Sequence, residues 1–255
     1  MFHNRRISLL LQAALLLWLQ ELSLQTCRPE YQKVKNHIAC RPQNPECYIL
    51  SSGLTAAEKK LLVELQNRFR SMVARGYVTG FPPAANMQKL VWDDSLAEVA
   101  QAHANQCLIH HTPSALRVTT RFRHTGQNLV GFRSIKAWAA SSRDIDRAVR
   151  SWFDERRNYS PSGLNEFHQL VDAPVGHFTQ VVWASTRYVG CGSTTFTVKN
   201  ASKGMTRFYV CDYAGPGNIA GKRVYLPGKP CSQMSARNFL REGNGPLCSW
   251  SHVRS

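Results

Sequence analysis

The sequence predicts a layered α+β domain, cross-linked by disulfides. Three observations lead there: three stretches with apolar residues at intervals of three and four, a C-terminal half rich in Val, Thr, Phe and Tyr, and eight cysteines. With 255 residues and 43% hydrophobic content, the chain is long enough to bury a real core, as one large domain or two small ones.

Residues 1–25 read as a secretory signal. Arg5 and Arg6 precede apolar runs at 7–11 and 13–19, and the whole is too short to favour spanning a membrane over being cleaved. All eight cysteines lie beyond it, and an even count in an exported chain reads as four disulfides. No CxxC pair occurs, which disfavours a zinc finger. The formal charge is +16, and loss of the signal with Arg5, Arg6 and Glu21 leaves +15. Such a surface suits anionic glycans or a membrane surface; an exported protein has no call on nucleic acid. The basic residues are scattered, at 121–123, 155–157 and 221–223, which by default describes a solvated surface.

Residues 26–54, with three cysteines and little periodicity, read as a disulfide-pinned N-terminal arm. The main domain spans 55–230. Thr55 and Glu58 form a capping box ahead of Leu61, Leu62, Leu65, Phe69, Met72 and Val73, and Gly76 stops that helix. Residues 80–87 are a turn-rich connector. Asp93 or Asp94 caps a second helix with Leu96, Val99, Ala100, His103 and Cys107 along its stripe. Periodicity then fails until a short strand at 127–130. Ser142 caps a third helix, whose apolar stripe is Ile145, Ala148, Val149, Trp152 and Phe153; Glu155 stands at the edge of that stripe. Three strands are expected next, at 178–185, 189–198 and 206–213. The last two flank a turn-rich link centred on residue 201, midway between Cys191 and Cys211. A symmetric hairpin puts those two cysteines opposite each other, roughly 4.5–5.5 Å apart at Cα, within bonding range. His177 opens the first strand. Taken alone, an imidazole there marks where the core ends.

Several strings together resemble the CAP superfamily of cysteine-rich secretory proteins, plant pathogenesis-related proteins and antigen 5, and most nearly the insect venom antigen 5-like proteins. They are QNRFR (66–70), PPAANM (82–87), LVWDDSLAEVAQAHANQC (90–107), GQNL (126–129), WFDERRNY (152–159), GHFTQVVWASTRYVGCG (176–192) and YVCDYAGPGN (209–218). The resemblance covers about residues 27–230. It implies a three-layer α-β-α sandwich with a central antiparallel sheet, and a cleft where two histidines and two acidic residues gather. The matching positions are His111, Gln127, Glu155 and His177, with His110 an alternative to His111. Where many members carry glutamate this chain has Gln127, which is neither a base nor an anionic ligand.

The resemblance also implies disulfides Cys27–Cys40 and Cys47–Cys107, which leaves Cys231 and Cys248 to close a C-terminal tail at 231–255. Two cysteines are too few for the channel-blocking module of some relatives. Asn158 and Asn200 head glycosylation sequons.

The first functional expectation is a secreted, non-enzymatic protein whose His-lined cleft binds a small or lipid-like ligand, or an extracellular receptor. His111 and His177 suit zinc, with Glu155 as a third ligand or a supporting partner; equally, the four side chains form a satisfied polar cluster. The alternatives are a metal-assisted hydrolase using His111, His177 and Glu155, and a basic protein that associates with matrix or membrane. No GxSxG motif supports a serine hydrolase.

Overall fold

The computed structural model describes residues 27–136, 142–168, 174–199, 204–233, 239–240 and 245–250. Residues 1–25, read as a signal, and the sequon at Asn200 lie outside the described residues. The central sheet runs in the order β1 (Cys47–Ser52), β4 (Tyr188–Val198), β5 (Met205–Ala214), β3 (Gly126–Ser134), all antiparallel. A short β2 (Val91–Trp92) joins β4 in parallel. In the tail, β6 (Phe239–Leu240) pairs with β7 (Ser249–Trp250).

Strand alternation builds the layers. On β5, Phe208 and Val210 pack with Ala100 and Ala104 of α3 (Asp94–Asn105), on one face of the sheet. Tyr209, Cys211 and Tyr213 point the other way. They join Leu62 and Phe69 of α2 (Ala56–Ala74), Trp152 and Phe153 of α4 (Ser142–Asp154), and Phe178 of α5 (Gly176–Val181). Both faces of the sheet are therefore buried, and the fold is an α-β-α sandwich. The arm, with α1 (Pro29–Gln32), lies against α3.

Local chemistry sets the boundaries. The hydroxyl of Thr55 accepts from the Glu58 amide while the Glu58 carboxylate accepts from that of Thr55, and Gly76, at φ 75°, leads the chain away from α2. Asp93, not Asp94, caps α3, accepting from the amide of Leu96. Helix α3 lies directly on β4: a Cβ on Gly190 would sit 2.2 Å from the amide nitrogen of Ala97, and one on Gly192 2.3 Å from Cα of Gln101. Only glycine permits that approach. The hairpin register pairs Cys191 with Cys211, and the two are bonded, as the symmetric turn predicts. The other bridges are Cys27–Cys40, Cys47–Cys107 and Cys231–Cys248.

Three expectations need correcting. The arm contributes a sheet strand, β1, whose alternation is weak because it lies at an edge with most residues exposed or half-buried. Strand β3 is longer than 127–130. The run at 178–185 is not a strand: α5 occupies 176–181, and its buried residues Phe178, Val181 and the following Val182 fall at helical spacing. Thr179 and Gln180 are buried too, which erased the polar face that would have revealed the period.

Candidate functional site

Helix α3 ends at Asn105; two residues on, Cys107 is held at φ 58° and bonded to Cys47, and the chain then turns back toward β3. This return places His111 beside Gln127. The Nδ1 of His111 is 3.0 Å from Oε1 of Gln127. Both His110 and His111 keep an exposed face; His111 is the ring bonded to Gln127, while Nδ1 of His110 lies 3.4 Å from the carbonyl of His111.

The opposite wall comes from α5 and the 3-10 turn Glu155–Asn158 that continues α4. Glu155 Oε2 accepts from the backbone amides of His177, at 2.9 Å, and Phe178, at 3.3 Å, while Oε1 accepts from Nδ1 of His177 at 2.6 Å. A carboxylate from elsewhere in the chain thus caps α5 and fixes its first ring. The rings of His111 and His177 lie 6.3 Å apart between centroids. Trp152 backs His177 at 6.4 Å and donates its indole N–H to Leu129 O at 3.0 Å. All four residues expected from the sequence therefore meet at β3, the end strand of the sheet.

Behind them lies a buried network that sequence reasoning missed. Gln127 Nε2 is 3.1 Å from Nδ1 of His103 and 2.9 Å from Oδ1 of Asp212. Arg117 donates to the same oxygen at 2.8 Å, to Thr125 Oγ1 at 2.9 Å and to the carbonyl of Thr112 at 2.7 Å. His103 had been placed on the apolar stripe of α3, where it indeed sits. The available signal was Asp212: a carboxylate inside the apolar strand YVCDYA demands a buried partner.

Burial sets the electrostatics. It pushes the Asp212 carboxyl above its ordinary range, opposed by the Arg117 charge and by hydrogen bonds from Gln127 and Arg117. Loss of hydration likewise lowers His111, and the neighbouring His177 adds to that, against the hydrogen bond with Gln127. His103 is fully buried, and desolvation takes its pKa down to about 4.

A pH dependence of stability follows from His103. The folded state keeps this ring neutral down to about pH 4, whereas the unfolded chain protonates it near 6.5. Between those values the unfolded state binds more protons, so stability is full above about pH 6.5 and falls as pH drops toward 4, by roughly 3 kcal/mol. Urea unfolding at about pH 7 and pH 4.5 measures the loss. His103→Gln is expected to shrink it; an unchanged pH slope in that variant would assign the effect to other groups.

The two rings offer two nitrogen lone pairs and little else. Both oxygens of Glu155 are engaged and Gln127 is neutral, so neither offers an uncommitted carboxylate to the imidazoles. Among the described residues no group of three or more His, Cys, Asp and Glu is placed to hold a metal. Cavities also open away from these rings. One of about 560 Å³ opens between the arm and α3, near Tyr31, Arg41 and Asn105. Another, of about 420 Å³, opens near Met72, Phe81, Phe153 and Tyr159.

A disulfide-bonded α-β-α sandwich with an imidazole pair at the end strand of its sheet defines the class. The model of the cysteine-rich secretory protein family, CAP, matches residues 63–213. A venom allergen 5 from Vespa mandarinia is 38% identical, over 74% of this chain and 89% of its own length. A CRISP/Allergen/PR-1 protein from Trittame loki is 37% identical over 85% of this chain, which spans only 52% of that relative. The crystal structure of NaASP2 with Zn2+ superposes with a TM-score of 0.60 at 26% identity, covering 77% of this chain and 97% of that one. The chain belongs to the CAP family and has antigen 5-like relatives.

Proposed function

We propose that this chain is a secreted, non-enzymatic CAP protein that captures a small ligand or a divalent cation through the lone pairs of His111 and His177. One observation carries the reading: each ring has its Nδ1 tied to a protein oxygen, by Gln127 and by Glu155, with the rings 6.3 Å apart. Export is supported by the basic-then-apolar start of the chain and by eight cysteines that are all bridged. Among the described residues no helix is long and apolar enough to cross a membrane.

The donor set fits zinc, which neutral imidazoles bind at about 2.0–2.1 Å. His111 and His177 would hold it, and Glu155 and Gln127 would orient the rings rather than ligate, since their polar atoms are already committed. A bound zinc supplies a Lewis-acid centre open to further ligands. Hydrolysis is the weaker reading, because both oxygens of Glu155, the carboxylate beside the rings, are already committed. Zinc titration by calorimetry is expected to show binding that falls at least about tenfold in His111→Ala and in His177→Ala. Peptidase and esterase activity is expected to stay at background throughout. Unchanged zinc affinity in both variants, or activity that disappears with His177, would overturn the proposal.

A lipid-like ligand has its own supporting observation. The 420 Å³ cavity is within the range of small-molecule sites, and it combines Met72, Val78, Phe81 and Phe153 with Arg156. An apolar tail with an acidic head matches that lining. As for the basic charge, retention on heparin that vanishes by about 0.2 M salt would mark it as nonspecific adsorption.

A further inference from the structure

We propose that the buried Arg117–Asp212 pair is a positioning device: acting through Gln127, it fixes which nitrogen of His111 carries the proton, so that His111 always presents a lone pair to the cleft. The inference deepens the ligand reading above, yet it concerns the protein with nothing bound.

Hydrogen-bond polarity carries the argument. A guanidinium only donates, so the oxygen of Asp212 that meets Arg117 at 2.8 Å must be an acceptor, whatever its other oxygen carries. Gln127 approaches that same oxygen at 2.9 Å, and only its NH2 end can do so. A second, independent chain agrees. The carbonyl of Leu108 only accepts, and it lies 3.1 Å from Nε2 of His103; that nitrogen therefore holds the proton, and Nδ1 of His103 is a lone pair. The lone pair faces Gln127 at 3.1 Å and also requires the NH2 end. With the amide oriented twice over, Oε1 must face His111, and Nδ1 of His111 must donate to it.

The hydrogen bond at Nδ1 sets the tautomer of the neutral ring, so the protein holds His111 in the Nδ1–H form. Glu155 does the same for His177, since both its oxygens accept. Each ring therefore keeps Nε2 as a lone pair, with the ring centroids 6.3 Å apart. Such a cleft selects cations and hydrogen-bond donors, such as a hydroxyl or an amine, over carboxylates and carbonyls.

Long-range 1H–15N correlation spectra of the folded, disulfide-bonded protein, labelled at histidine and recorded at about pH 8, read the tautomer directly. His111 is expected as a single Nδ1–H form. Gln127→Met removes its acceptor and is expected to move it mostly to Nε2–H. The double variant Arg117→Met/Asp212→Leu removes the buried pair together, so no orphaned charge remains; the amide is then held by His103 alone, and a minor Nε2–H population of His111 is expected beside the Nδ1–H form. His177 should stay Nδ1–H in every case, reporting an intact fold. A wild-type His111 already protonated at Nε2, or a tautomer unchanged in the double variant, overturns the inference. Should the double variant not fold, Gln127→Met decides: retention of the Nδ1–H form there overturns it equally. Zinc that fails to bind a protein with a locked His111 would count against the ligand reading alone.

Discussion

Arg70→Met is expected to cost more than about 4 kcal/mol, placing it among the exceptional single substitutions. Arg70 is fully buried with no carboxylate bonded to it. Its guanidinium instead donates to five backbone carbonyls: Gln88 at 2.5 and 2.9 Å, Val181 and Trp183 at 2.8 Å, Thr186 at 3.1 Å and Ala184 at 3.3 Å. Methionine fills the stem but leaves those acceptors without donors, and each unsatisfied buried group costs about 1–3 kcal/mol. Arg70 also gathers the C-terminal end of α5, the helix that carries His177, so the cleft is expected to loosen as well. Lysine has fewer donors and no planar fork, and Arg70→Lys is expected to fall between. Denaturant unfolding gives the loss. A Met variant within about 1 kcal/mol of wild type would show that water satisfies these carbonyls instead.

The second large effect is expected from removing the Cys47–Cys107 bond as a pair of serines. The bridge closes a sequence separation of 60 residues, worth about 4 kcal/mol on the chain-entropy model. For a domain of this size that corresponds to a fall in Tm of roughly 8–16 °C. The Cys231–Cys248 bridge closes only 17 residues, and its double serine variant is expected to lose about 3 kcal/mol. Thermal scans of the two variants therefore test an order as well as a size. The first is also expected to release the turn at Cys107 that aims His111, and broadening of the His111 signals would report it.

Much of the fold was legible because local chemistry and tertiary packing agreed. Thr55 and Glu58 announced α2, Asp93 or Asp94 announced α3, and the midpoint between Cys191 and Cys211 gave the register of the hairpin. Where burial surrounds an element, the pattern fell silent: α5 is wrapped on all sides, so its run of Phe178, Val181 and Val182 read as a strand. Edge strand β1 failed for the opposite reason, since little of it is buried. At the site, His111, Gln127, Glu155 and His177 were named from resemblance, not from spacing. Their supporting residues were hidden by their own surroundings: His103 sits in an apolar stripe and Asp212 in an apolar strand.

Stapling at both margins of the described fold has a further consequence. Near one end, β1 is hydrogen-bonded along β4 and tied through Cys47; near the other, Cys248 donates to the carbonyl of Met87 and accepts from the amide of Lys89, each at 2.9 Å, while bonded to Cys231. Neither margin can peel away before the centre gives, so unzipping from the extremities is suppressed and opening is driven into one cooperative event. Within the described residues, a fold built this way resists digestion in proportion to its global stability.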